Sequence, residues 1–243
     1  MISSIKTLFH SRVSADIMLS SSGPVLGILL AVADYRVAWT CALSLMLAVV
    51  LLAVYMIFQK RFLLVPAAAS VVLTAYASYG TVLSLEALIL MLFTYFLLRL
   101  SKGSGNSGRI MDGVVTCLLK GPVAVYGAYF VCTHSFPFWF ILFPSLSVGL
   151  LCVAADGVAD NCGKVLTSLL IYVGLAMMVT YSCLRIFELV HFLFLITIPA
   201  FIFITVRMYM NKEHNSDTYR PALALCIFVL TLLTGVGFIG YLF

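Results

Sequence analysis

The sequence predicts an all-α, polytopic membrane protein, a helical bundle of about nine transmembrane helices. Of the 243 residues, 63% are apolar or aromatic and only 9% are charged. A soluble domain carries about 25% charged residues, because its surface must stay hydrated. Uncharged stretches of about 20 residues, enough to span a bilayer as a helix, recur along the whole chain. We therefore expect a single integral membrane domain over residues 1–243, with lipid as its solvent.

Short polar breaks divide the chain into candidate spans. Residues 1–20 hold Asp16 and several serines rather than the apolar core of a cleavable signal, so they are interpreted as an interfacial segment. The predicted spans are Ser22–Ala33, Val37–Phe58, Phe62–Tyr79, Thr81–Leu100, Gly113–Cys132, Phe136–Ala155, Val165–Leu184, Phe187–Met210 and Pro221–Phe243. The first span is short and borrows residues from the Met18 side. The breaks after Tyr79 and at His134 are weak, so eight spans is the alternative count.

The distribution of lysine and arginine predicts the orientation, because cytoplasmic loops carry an excess of both. With the N-terminus in the cytoplasm, that face collects Lys6, Arg12, Lys60, Arg61, Arg99, Lys102, Arg109, Lys164, Arg207, Lys212 and Arg220. The opposite face receives only Arg36 and Arg185, and Lys120 lies inside a span. An odd number of spans then places Phe243 outside. We expect a multi-pass protein of the bacterial cytoplasmic (inner) membrane.

Several functional classes find no support in the sequence. The seven cysteines show no CxxC spacing, which argues against a zinc site or a disulfide framework. The glycine-rich segment Lys102–Arg109 follows a membrane helix rather than a strand, so a mobile lid or linker fits it better than a nucleotide site. We expect no nucleic-acid partner. A transporter is a weaker reading, because no pair of broken helices is evident.

The most informative polar segment runs from Asp156 to Lys164 at the cytoplasmic end of the sixth span. If the helix continues through it, Asp156 and Asp160 are four residues apart and share one face. Two carboxylates so placed repel each other unless a cation lies between them, and Mg²⁺ with a phosphorylated substrate is the usual solution. The alternative is a solvated helix end whose acids bind nothing.

Lys120 is the second signal, because it lies about two turns inside the fifth span. A cation at this depth normally faces the bundle interior and has a partner or a ligand. The alternative is that its side chain extends back to the cytoplasmic headgroups, about 10 Å away. The sequence leaves both open.

Two stretches resemble the UbiA superfamily of membrane prenyltransferases, most closely the branch that prenylates 1,4-dihydroxy-2-naphthoate in menaquinone biosynthesis. One stretch is Arg12–Ala31, similar to that branch's arginine-led entry into the first helix. The other is Gly121-Pro-Val-Ala-Val-Tyr-Gly-Ala-Tyr-Phe130, similar to the family's fifth helix. The resemblance implies nine transmembrane helices around a central cavity, and two aspartate-rich motifs on the cytoplasmic side.

The resemblance also implies a reaction and roles for particular residues. The substrates would be a prenyl diphosphate and an aromatic acceptor, with Mg²⁺ as cofactor. Asp156 and Asp160 fall where the second motif belongs and would be metal ligands. The implied catalytic cations are Lys164, which would neutralise the diphosphate, and Lys120. The implied diphosphate-binding residues are Lys60, Arg61, Arg109, Arg12 and Asn161.

The chain departs from the family pattern at the first motif. That motif should end the second helix, but Ala53–Arg61 contains no carboxylate. Two interpretations stay open. In one, a divergent prenyltransferase uses a single Mg²⁺, with Lys60 and Arg61 replacing the lost metal charge. In the other, the fold persists as a non-catalytic membrane module that binds an isoprenoid, a quinone or a protein partner.

Overall fold

A computed structural model describes residues 12–35, 43, 46–47, 49, 51, 72, 109–133, 137, 139–159, 163–185, 189–210 and 216–239. Across these residues the regular structure is entirely helical, which confirms the all-α class. The predicted second, third and fourth spans fall almost entirely outside the described residues. The other six predicted spans each correspond to a helix.

Seven α-helices are described, together with three shorter helical segments. In chain order they are α1 (Arg12–Tyr35), α2 (Arg109–Leu118), a π-helical turn (Leu119–Val123), α3 (Ala124–Thr133), a 3₁₀ turn (Trp139–Ile141), α4 (Leu142–Ala159), α5 (Lys164–Arg185), a 3₁₀ segment (Leu189–Thr197), α6 (Ile198–Met210) and α7 (Ser216–Ile239). The π-helical turn joins α2 to α3, so Arg109–Thr133 forms one long irregular helix.

Six of these helical stretches are long and apolar enough to cross a membrane, which indicates a multi-pass membrane protein. Their outward faces are apolar as well as their inward ones. Large hydrophobic side chains on α5 and α6, such as Val165, Leu169, Phe203 and Met210, are well exposed. A helix that is apolar on all sides is suited to lipid rather than to water.

The directions of the helices follow from contacts at both of their ends. On α1 and the α2–α3 helix, Gly23 lies against the carbonyl of Lys120, and Tyr129 donates a hydrogen bond to Asp34 at 3.1 Å. These two helices are therefore parallel. Likewise α7 is parallel to α1, because Arg220 pairs with Asp16 and Gly235 lies against Leu29.

The remaining helices alternate in direction. The hydroxyl of Ser147 on α4 donates to the carbonyl of Gly174 on α5 at 2.7 Å, and only four residues separate these two antiparallel helices. One end of the bundle therefore holds the starts of α1, α2, α5 and α7 and the end of α4. We call it the charged end, after Asp16, Asp156 and Arg220.

Glycines let three helices approach one another at backbone distance. A Cβ atom built on Gly23 of α1 would lie 2.3 Å from the carbonyl oxygen of Lys120. One built on Gly149 of α4 would lie equally close to the carbonyl oxygen of Cys117. Small residues at such contacts are typical of membrane helices, whose association depends on close packing.

Helix boundaries differ from the predicted spans at two places that matter for the site. α1 begins at Arg12, ten residues before the predicted Ser22, so Asp16 belongs to the helix that carries the first span. α4 continues past the predicted Ala155 to Ala159, which places Asp156 within the helix. Both acids can lie there because Arg220 pairs with each of them.

Candidate functional site

Lys120 lies in the π-helical turn between α2 and α3. Pro122 has no backbone N–H and its ring crowds the carbonyl four residues earlier, so it removes one hydrogen bond from the α-helical pattern. The chain responds by widening to a π-helical turn over Leu119–Val123. Single π-helical turns inside α-helices occur frequently at functional sites, and this one carries a lysine.

The ammonium group of Lys120 pairs with Asp156. Its Nζ atom lies 2.6 Å from Oδ2 of Asp156, which is on α4. The neighbouring Gly121 packs against Gly149, seven residues before Asp156. Seven residues of α-helix span about 10 Å, so the lysine side chain extends along α4 towards the charged end. Lys120 therefore both has a partner inside the bundle and reaches towards one end of it.

Arg220, near the start of α7, bridges two carboxylates. Its Nη2 atom donates to Oδ1 of Asp16 at 2.6 Å and to Oδ1 of Asp156 at 2.8 Å. Both oxygens of Asp156 are thus engaged, one by Arg220 and the other by Lys120. Within the described part of the chain, the buried Nε atom of Arg220 makes no hydrogen bond.

These four residues form a charge cluster that joins α1, the π-helical turn, α4 and α7. Its two cations and two anions balance. The cations are the deeper groups, with side chains 11% exposed for Lys120 and 14% for Arg220. The side chains of Asp156 and Asp16 are 26% and 30% exposed. The carboxylates thus lie on the outer side of the cations.

The cluster offers part of a magnesium site. Carboxylate oxygens are ligands that Mg²⁺ prefers, and Asp156 supplies two. Both accept hydrogen bonds from cations, however, and among the residues that the structure describes no three His, Cys, Asp or Glu side chains could hold a metal together. Asp160, the predicted second ligand, lies outside them. The described residues supply one of the two predicted metal ligands rather than a complete metal site.

The predicted site residues fall into three groups. The structure brings Lys120 and Asp156 into direct contact, and Lys164 begins α5 at the same end of the bundle. Arg12 and Arg109 are the first residues of α1 and α2 at that end, but the structure does not describe their side chains. Asp160, Asn161, Lys60 and Arg61 lie outside the described residues altogether.

Sequence reasoning missed Asp16 and Arg220 as members of the site. Asp16 was assigned to the interfacial segment, and Arg220 only to the cytoplasmic face. One signal could have found both. Each is a charged residue within a helical stretch long and apolar enough to cross a membrane, and a charge in such a stretch normally requires a partner.

No protein-family model matches the chain, and no curated protein sequence matches it.

Proposed function

We propose that this protein is a UbiA-like prenyltransferase, which moves a prenyl group from a prenyl diphosphate to an aromatic acceptor of the kind used in quinone biosynthesis. The observation that carries this proposal is the contact between Lys120 and Asp156 at the charged end. Lys120 directly precedes the stretch that resembles the family's fifth helix, and Asp156 opens the segment that corresponds to its second motif. The start of the Gly121–Phe130 stretch and the first acid of the predicted second motif are therefore adjacent.

Prenyl transfer needs compensation of the negative charge that builds on the departing diphosphate. Lys120 and Lys164 are proposed to supply it directly. Arg12, Lys60, Arg61, Arg109 and Asn161 are proposed to bind the diphosphate, on the cytoplasmic side. Mg²⁺, held by Asp156 with Asp160, would act as a Lewis acid on the phosphate oxygens. The apolar bundle provides the route for the prenyl chain from the lipid.

The proposed architecture has nine transmembrane helices with the N-terminus in the cytoplasm. The parallel directions of α1 and the α2–α3 helix support this count, because three predicted spans between them would leave the two helices parallel. The segment of residues 36–108 is long enough for three spans and contains the three predicted ones. Losing one of the three spans predicted between α1 and the α2–α3 helix would make these two helices antiparallel.

A second function is favoured by a specific feature of the cluster. Both oxygens of Asp156 already hold cations, and Ala53–Arg61 lacks the carboxylates of the first motif. A chain without a working metal site could still bind an isoprenoid or quinone, or an active protein partner, without transferring a prenyl group. The proposed alternative is such a non-catalytic membrane module.

Product formation separates the two functions. The purified protein in lipid nanodiscs is incubated with labelled geranylgeranyl diphosphate, Mg²⁺ and a panel of aromatic acceptors that includes 1,4-dihydroxy-2-naphthoate. We expect a prenylated product from the wild type, and a loss of about 100-fold or more for Asp156→Asn and Asp160→Asn, because electrostatic groups at such sites contribute on this scale. Asp112→Asn, at the start of α2, is the matched control and should retain activity.

The outcomes are distinct. Turnover that requires both acids supports the prenyltransferase. Saturable binding of the prenyl diphosphate or of a quinone without any product supports the non-catalytic module. Turnover that survives both substitutions would show that the reaction does not use the proposed metal ligands.

A further inference from the structure

We propose that Arg220 is a diphosphate-binding residue that acts together with Lys120, and that the Asp16 carboxylate holds it until the diphosphate takes its place. This inference rests on the proposed function in that it takes a prenyl diphosphate as the ligand. Arg220 lies outside the stretches that resemble the prenyltransferases, and it is the contacts of Arg220 that point to this role.

The donor geometry of Arg220 suits a phosphate group. A guanidinium presents several N–H donors in a planar fork that matches carboxylate and phosphate oxygens. In this cluster one nitrogen, Nη2, makes both hydrogen bonds, to Asp16 and to Asp156. The buried Nε atom makes none within the described residues. Burying a donor without a partner is unfavourable, and an additional anionic oxygen would satisfy it.

Lys120 lies on the other side of the same carboxylate. Its Nζ atom and Nη2 of Arg220 bind the two oxygens of Asp156, so the two cations flank one anionic group. Two cations held in this way form a site for an anion with several oxygens, such as a diphosphate. They can act without a bound metal, and they can compensate in part for the missing first motif.

Asp16 is the partner that a diphosphate would displace. Its carboxylate is the most exposed group of the cluster and, among the described residues, pairs with Arg220 alone, whereas Asp156 is held by both cations. Replacing the Asp16–Arg220 pair by a phosphate–Arg220 pair exchanges one charge-assisted hydrogen bond for another. Removing the charge of Asp16 should therefore strengthen diphosphate binding, whereas removing that of Arg220 should weaken it.

Binding is measured with fluorescently labelled geranylgeranyl diphosphate and the intact protein in nanodiscs, once with Mg²⁺ and once with EDTA. With EDTA we expect Arg220→Gln to weaken binding about tenfold or more, since a charge-assisted hydrogen bond is worth at least 1.4 kcal/mol, about a factor of 10. Asp16→Asn should tighten binding about threefold to tenfold, because it removes a competing ion pair of about 1 kcal/mol. Arg220→Lys keeps the positive charge but not the planar fork of donors, so its affinity should lie between those of the wild type and Arg220→Gln.

Arg207→Gln is the matched control for a cation near the same end of the bundle. Arg207 lies 5.2 Å from the ring centroid of Phe203, and its carbonyl accepts a hydrogen bond from Tyr219, next to Arg220. It lies outside the cluster, so its substitution should leave binding within about twofold of the wild type. Inorganic diphosphate as a competitor distinguishes recognition of the headgroup from partition of the prenyl chain.

The opposite signs of the two effects are the decisive result. If Arg220 and Asp16 only join α1 to α7, both substitutions will weaken binding and lower stability together, and the inference is wrong. A misfolded variant cannot bind more tightly, so the gain expected for Asp16→Asn does not depend on how Arg220→Gln folds. Absence of saturable binding by the wild type would also overturn the inference.

Failure of the proposed function has a different signature. If the two substitutions have opposite effects on binding but no prenylated product forms, the diphosphate site is supported and the transferase function is not. If the wild type forms product but both variants bind the diphosphate equally weakly, the transferase function is supported and the proposed roles of Arg220 and Asp16 are wrong.

Discussion

Neutralising Asp156 tests whether the charge cluster stabilises the bundle. Asp156→Asn keeps the shape of the side chain but leaves Lys120, 11% exposed, without its carboxylate partner. Removing one member of a buried ion pair costs about 3–5 kcal/mol. Asp156 is itself about a quarter exposed, and Arg220 retains Asp16, so we expect a loss at the lower limit, about 3 kcal/mol.

A double-mutant cycle isolates the pair. Lys120→Met alone should cost about 1–2 kcal/mol, because Asp156 keeps Arg220 and no buried cation is left unpaired. Asp156→Asn combined with Lys120→Met should be less destabilising than the sum of the single variants by at least about 2 kcal/mol, since no lone lysine remains.

Reversible unfolding in mixed micelles by titration with sodium dodecyl sulfate, followed by far-UV circular dichroism, gives these free energies. Arg207→Gln is the control and should change stability by less than about 1 kcal/mol, the usual size of an exposed cation–π contact. The reasoning is refuted if the free energy of unfolding of Asp156→Asn lies within about 1 kcal/mol of the wild-type value, a difference well below the cost of breaking a buried pair. It is also refuted if the double variant is additive.

Two further predictions concern packing and orientation. Gly149→Ala should lower the free energy of unfolding by about 1–3 kcal/mol through overpacking, because the new Cβ would lie 2.3 Å from the carbonyl oxygen of Cys117. Gly113→Ala, whose Cβ would meet only Val153 at 3.6 Å, is the control, and equal losses would contradict the close packing. For the orientation, we expect a fluorescent protein fused after Lys212 to be active in the cytoplasm and alkaline phosphatase fused after Phe243 to be active outside. If alkaline phosphatase fused after Lys212 is active, the proposed orientation is wrong.

The sequence identified Lys120 and Asp156 separately, for different reasons. Lys120 stood out because a cation within an apolar span needs a partner, and Asp156 because a second acid follows four residues later. Neither signal predicted that the two residues bind each other. Their contact depends on how the α2–α3 helix and α4 are aligned, which glycine contacts determine and which hydropathy does not report.

Arg220 and Asp16 were harder to recognise. They are 204 residues apart, and each lies just before a predicted span, which begins at Ser22 or Pro221. Because the predicted first span begins at Ser22, Asp16 falls in the interfacial segment rather than in a membrane helix. Only the parallel packing of α1 and α7 brings the two side chains together. Charge patterning identifies such residues as polar, but it does not pair residues from distant helices.

The position of Lys120 follows from the glycines around it. Gly23 of α1 lies against its carbonyl oxygen, and Gly121 and Gly149 bring the backbone of α4 to the other side. Helices in such close contact leave no space between them for a long side chain, so the lysine is directed along the helices. Asp156 lies about 10 Å further along α4, within reach of an extended lysine. The close packing and the charge cluster are therefore two parts of one arrangement. A substitution that separates the backbones at Gly149 should also disturb the contact between Lys120 and Asp156.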